Sequence, residues 1–139
     1  MGMMTQMMSA TGMDAEQMEL MEACIEACAA CEQACVMCSD ADLGDGMMRC
    51  SSMCSTCADV CNAMMRMMMR PTGWDMDAMT AMLRATIAMC TACAAECGMH
   101  ADMHEHCAMC AQACRDCIAA CENLLAAMPA MAGSTAASM

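Results

Sequence analysis

Seventeen cysteines dominate the chemistry open to this chain, and they fall into four groups. These are Cys24, Cys28, Cys31, Cys35 and Cys38; Cys50, Cys54, Cys57 and Cys61; Cys90, Cys93 and Cys97; and Cys107, Cys110, Cys114, Cys117 and Cys121. Within each group the steps alternate between three and four residues. On an α-helix such steps confine even a five-cysteine group to an arc of about 80°, so each segment carries one narrow stripe of thiols. Thiols four apart have Cα atoms roughly 6 Å apart and side chains that point the same way. A two-coordinate soft cation with metal–sulfur bonds of about 2.2 to 2.3 Å needs its sulfurs roughly 4.5 Å apart, within reach of such pairs. Linear or trigonal thiolate coordination is the habit of Cu(I). Tetrahedral Zn(II) needs four convergent sulfurs, which one stripe per helix supplies only where several helices meet.

Other uses of cysteine fit less well. The four-cysteine ferredoxin run with its closing Cys-Pro is missing, which argues against an iron–sulfur cluster. Seventeen is odd, and neighbouring thiols on one helix face lack the Cβ geometry of a disulfide. A buried free cysteine can be a small hydrophobe, but that account does not extend to 17 at one spacing with few leucines beside them.

The elements that must position these stripes are four helices. Asp14 is a candidate N-cap for the first, and Ser39 to Gly46 is expected to break it. The second runs from about Met47 to Arg70 and is stopped by Pro71. Asp75 caps the third, Gly98 is its candidate C-cap, and a fourth opens at Ala101-Asp102 and ends at Pro129. Short connections make neighbours antiparallel, which predicts an all-α, up-down-up-down four-helix bundle with a cysteine-lined core. Residues 1–13 read as a Met-rich flexible segment, 14–128 as the bundle and 129–139 as a flexible tail. Cys38, Cys50, Cys97 and Cys107 flank turns at one end of the bundle. Toward the other end the stripes are continued by Leu20, Met21, Met64, Met68, Met79, Leu83, Thr86, Leu125 and Met128, an apolar plug.

At the turn end, His100 and Met103 extend the fourth stripe, with His104, His106, Met47, Met48 and Met99 nearby. Neutral imidazole and thioether suit transient capture of Cu(I), so this end is expected to be the mouth and His100, Met103, His104, Met47 and Met48 to be ligands beside the cysteines. Met1, Met3, Met4, Met7, Met8 and Met13 offer further thioethers.

Composition bounds the rest. The chain has 139 residues, 27 Met, 17 Asp and Glu, five Arg and no Lys, for a formal net charge of -12. Nucleic acid and anionic membrane surfaces repel such a protein. No uninterrupted apolar run reaches the roughly 18 to 20 residues of a spanning helix, so no membrane partner is expected. Met1 to Asp14 has no basic residue, no continuous apolar core and no twin-arginine pair, which points to the cytoplasm, where thiols stay reduced. The acidic residues form a solvated face that concentrates cations without selecting copper. Nothing places a base or an oxyanion donor beside a chosen cysteine, so no enzyme is expected.

The repeated C-x3-C and C-x2-C on every helix, as in Cys24-Cys28-Cys31-Cys35-Cys38 and Cys107-Cys110-Cys114-Cys117-Cys121, resembles the bacterial copper storage proteins over about Met13 to Met128. The resemblance, closer to the cytosolic branch, implies storage and detoxification of many Cu(I) ions per chain and a homotetramer. A delivering copper chaperone is not identified by it. The alternatives are a general Zn or Cd buffer in the manner of metallothionein and, more remotely, a thiol oxidoreductase.

Overall fold

A computed structural model describes residues 2, 3, 6, 7 and 13–138, with side chains described as far as Pro129 and at Met131. Met1, Met4 and Met8 of the Met-rich segment lie outside the described residues. Helix α1 spans Ala15–Gly44, α2 Met48–Met68, α3 Met76–Gly98 and α4 Glu105–Ser138, and a single 3-10 turn, Pro71–Gly73, joins α2 to α3. There is no strand among the described residues. Helix α1 packs on α2 and α4, and α3 packs on the same two, so the four form an antiparallel square.

Local chemistry accounts for the boundaries. The Asp14 carboxylate accepts from the Gln17 N–H at 2.8 Å, and that of Asp75 from the Ala78 N–H at 2.9 Å, each satisfying an otherwise orphaned donor of a first turn. The expected break over Ser39 to Gly46 is a correction: α1 continues to Gly44. Its end is a Schellman motif in which Gly46 adopts φ 73° and the Met47 N–H reaches back to the Asp42 carbonyl at 2.9 Å. Ser39 belongs to the helix interface instead. Its hydroxyl lies 3.1 Å from the Ser51 hydroxyl and 2.7 Å from that of Ser55, while Ser51 Oγ donates to the Ser39 carbonyl at 2.9 Å.

Trp74, the sole aromatic, donates its indole N–H to the Met67 carbonyl at 2.8 Å and so closes the end of α2. Gly98 ends α3 without a positive φ, and residues 101–103 remain in the turn, so α4 opens at Glu105 and not at Ala101-Asp102. Pro129 does not end α4, which runs through it to Ser138. A proline removes one N–H from the ladder, but the stripe Cys121, Leu124, Met128 and Met131 keeps its three-four-three step across it, and Met131 is buried. Burial of that side chain and the alanines on either side favour continuing the helix.

All 17 cysteines are buried, none more than 1% exposed. The plug is real, with Met21, Met64, Met68, Met79, Leu83, Thr86 and Met128 all buried. Leu20 and Leu125, expected there, are only half-buried, and Ile25, Leu124 and Met131 take the inward positions. Each fully buried Met or Leu stabilises the fold by roughly 1.5 to 3 kcal/mol. Helix α3 is long and apolar enough to cross a membrane by length and composition, although scattered polar residues interrupt its apolar run. Its hydropathy comes largely from Cys, Met and Ala, and its inward face is spent on the bundle core.

Candidate metal centre

The thiols form a ladder. Between α1 and α4 the rungs are Cys24–Cys121 and Cys28–Cys117 at 3.6 Å, Cys31–Cys114 at 3.7 Å, Cys35–Cys110 at 3.6 Å and Cys38–Cys107 at 3.9 Å. Between α2 and α3 they are Cys50–Cys97 at 3.7 Å, Cys54–Cys97 at 3.5 Å, Cys54–Cys93 at 3.8 Å, Cys57–Cys90 at 3.9 Å and Cys61–Cys90 at 3.7 Å. Cys35–Cys93 at 4.0 Å and Cys54–Cys110 at 3.8 Å tie the two halves together. These rungs follow from antiparallel pairing of stripes that share one step pattern. A disulfide has its sulfurs about 2.05 Å apart, so these contacts are between free thiols.

The shortest sulfur contacts join different helices, and among the described residues Cys31–Cys35 at 4.0 Å is the one contact within a helix that is as short. The within-helix pairs Cys57–Cys61 and Cys110–Cys114 also lie within 4.8 Å, near the spacing expected for chelation. Groups such as Cys31, Cys57, Cys61 and Cys90, or Cys35, Cys93, Cys110 and Cys114, have all four sulfurs within 4.8 Å of one another. Cys31, Cys35 and Cys114 each belong to two groups, so one thiolate can bridge two ions.

At the turn end the thiols meet acid and imidazole. Asp42, one helical turn beyond Cys38, is fully buried. Its Oδ1 accepts from the thiols of Cys38 at 3.7 Å and Cys107 at 3.6 Å. His106 Nδ1 lies 3.4 Å from Cys38 Sγ and 3.5 Å from Cys107 Sγ, and its Nε2 is 3.0 Å from Asp45 Oδ2. The Cys107 thiol is pushed up from 9.0 to about 11, first by burial, and burial likewise raises Cys38 and Cys50. Loss of solvent and the nearby carboxylate both disfavour a thiolate, so these thiols hold their protons until a cation arrives.

The other residues expected at the mouth are near it but turned elsewhere. His100 Nε2 lies 3.3 Å from the buried Glu96, which also pairs with Arg49 at 2.7 Å. His104 Nδ1 is 3.3 Å from Asp45. Met48 and Met103 are exposed, Met47 is half-buried, and no hydrogen bond among the described residues joins His100 or His104 to a thiol. Asp42 and His106, which sequence reasoning did not place among the ligands, are the groups in contact with sulfur. The four-residue step from Cys38 to Asp42 is the signal that could have found the acid. For His106, one residue before Cys107 and off the stripe, spacing offers none.

The sequence model described as copper storage protein matches residues 13–126. No curated protein sequence matches the chain. Among solved structures, the copper storage protein Ccsp from Streptomyces lividans loaded with 10 copper equivalents is 40% identical. It superposes with a TM-score of 0.82 over 88% of this chain and 98% of that one. A cytosolic copper storage protein from Streptomyces lividans carrying five coppers is 44% identical, with a TM-score of 0.78 over 81% of this chain and 98% of that one. Buried, shared thiols in a four-helix square are thus matched in sequence along most of the chain, which belongs to the copper storage protein family.

Proposed function

We propose that the chain stores copper as many Cu(I) ions held by the 17 cysteine thiolates, with the metal as cargo and not as the cofactor of a reaction. The observation that carries this reading is the ladder of shared sulfurs: every rung from Cys24–Cys121 to Cys38–Cys107 brings two thiols within 4.0 Å, and neighbouring four-sulfur groups have members in common. Thiolate is soft enough to prefer Cu(I), and bridging makes the number of ions approach the number of cysteines. The absence of catalytic turnover is part of the same reading. So is a cytoplasmic location, the compartment named for the Streptomyces relative, where thiols stay reduced. Assembly as a homotetramer, and copper entry at the turn end past His106, Asp42 and the outer methionines, complete it.

Anaerobic titration of the reduced protein should saturate on the order of 15 to 20 Cu(I) per chain if each bridging thiolate serves about one ion. Saturation at four or fewer would reject storage. Native mass spectrometry of the same samples reads the tetramer.

A further inference from the structure

The end of the bundle away from the mouth carries a second gathering of sulfur, built from methionine. The last residues of α2, the 3-10 turn and the start of α3 border a cavity of about 830 Å3. Met67, Met69, Met79 and Trp74 line it from the bundle, and Met3 and Met7 line it from the N-terminal segment. Helix α2 has 21 residues and is about 30 Å long, so the cavity lies nearly a bundle length from the mouth. Among the described residues no Cys, His, Leu, Ile or Val borders it.

Packing accounts for only part of this arrangement. Met79 is buried and Met67 half-buried, and burial explains both. Met3, Met7 and Met69 are 75%, 66% and 46% exposed, so they gain little from the hydrophobic effect, yet they face the same space. The Gln6 N–H donates to the Gly2 carbonyl at 3.2 Å and closes a helical turn, in which a four-residue step sets Met3 and Met7 on one side. Trp74 is held in place by its bond to the Met67 carbonyl.

What these five side chains share is a soft, neutral donor. Methionine is unbranched, with three rotatable bonds and a polarisable sulfur, so the thioethers can gather on an ion in a space wider than the ion itself. They bind Cu(I) without losing a proton. With neutral ligands the complex keeps the full charge of its ion. A single charge is tolerable in a cavity open to water at Met3 and Met7, whereas Zn(II) would keep two charges and prefers harder donors. Arg70 and Asp75 border the cavity with opposite charges, so selection comes from sulfur.

We infer that Met3, Met7, Met67, Met69 and Met79 form a thioether site for one soft monovalent cation, Cu(I), on the outer side of the plug. The inference rests on the storage reading only for the identity of that ion. The ion is additional to those of the ladder, and it is held more loosely because its ligands carry no charge.

Trp74, the sole aromatic residue, makes the site readable. The full-length reduced protein is titrated anaerobically with Cu(I) as its acetonitrile complex, recording thiolate charge-transfer absorption and Trp74 emission together. The absorption should rise first and level off as the thiols fill, and one further equivalent should then quench Trp74 emission severalfold. In the triple variant Met3→Leu/Met7→Leu/Met69→Leu that step should need at least tenfold more Cu(I), with the absorption unchanged. Leucine keeps the apolar surface and the three positions are exposed, so the variant separates thioether ligation from packing without threatening the fold. Met109→Leu, similarly exposed on α4, should behave as the parent protein does. Zn(II) added to the copper-loaded protein should leave the emission unchanged. Emission that stays constant after the absorption levels off, quenching that survives the triple variant, or equal quenching by Zn(II) would each overturn the site. The plateau in absorption counts the copper in the ladder, so a low count rejects storage whether or not the Trp74 step appears.

Discussion

The two ends of the bundle are built by the same four helices and could hardly be more different. At the plug, Met21, Met64, Met68, Met79, Leu83, Leu124 and Met128 are buried side by side with Thr86, whose hydroxyl is satisfied by the Met82 carbonyl at 2.8 Å. At the mouth, the buried groups are Asp42, Glu96 and the thiols of Cys38, Cys50 and Cys107. Burying apolar surface contributes to folding, whereas burying carboxylates opposes it unless they are paired. One end therefore holds the bundle together and the other is shaped for cations.

The sharpest way to break this division is to ask whether metal is needed for the fold at all. If the plug and the apolar character of protonated thiols suffice, the reduced, metal-free protein is already helical, unlike a zinc finger. Circular dichroism showing a coil that becomes helical only with copper would erase the contrast between the ends. The next largest effect is at the plug: Leu124→Ala or Leu83→Ala should cost the apo protein roughly 2 to 5 kcal/mol in denaturant unfolding while leaving the copper count nearly unchanged. A variant that keeps its stability but loses copper would place function where the structure places packing.

The mouth has its own signature in pH. Cys107 is raised from 9.0 to about 11, so the folded state holds this proton more tightly than the unfolded chain does. The stability linked to it is fully present below pH 9 and is lost as pH rises through about 11, so the apo protein should melt at progressively lower temperature across that window. A melting temperature flat across that window would contradict it. Copper binding near neutrality should correspondingly release protons into weakly buffered solution, since thiols must ionise and methionine need not. The smallest effect concerns access. His106→Ala should slow Cu(I) loading severalfold at nearly constant final content, and the triple replacement of His100, Met103 and His104 by Ala should slow it less, because those side chains face Glu96, Asp45 and solvent. Stopped-flow loading in which the triple variant is the slower one would reverse that ranking.

The architecture was legible because the stripes obey one rule. A strict three-four step fixes which face is inward, and Asp14, Asp75 and Pro71 act locally, so the elements and the ladder could be read without knowing any contact. What escaped depends on contacts between distant segments or on competition between local and tertiary terms. Pro129 reads as a stop, but burial of Met131 across it outweighs one missing hydrogen bond. Ser39 reads as a turn residue, but Ser51 and Ser55 on the next helix claim it. His106 reads as off the stripe, yet in the first turn of α4 its ring lies against Cys38, 68 positions away in the chain. Asp42 was hidden in what looked like a polar loop, although it stands one turn past Cys38 and ends the first stripe.

The sharing of single sulfurs between neighbouring groups has a consequence for turnover of the store. An ion that sits on Cys31, Cys35, Cys57 and Cys114 already touches Cys31 and Cys57 of the adjoining group with Cys61 and Cys90. It can advance by exchanging ligands one at a time and never needs to become free. If copper enters and leaves only at the turn end, as proposed, the column behaves as a stack: the ion admitted last is the first to leave. Copper deep in the bundle, near Cys24 and Cys121, is then the oldest in the molecule, kept in reserve while recent arrivals near Cys38 and Cys107 meet the demand.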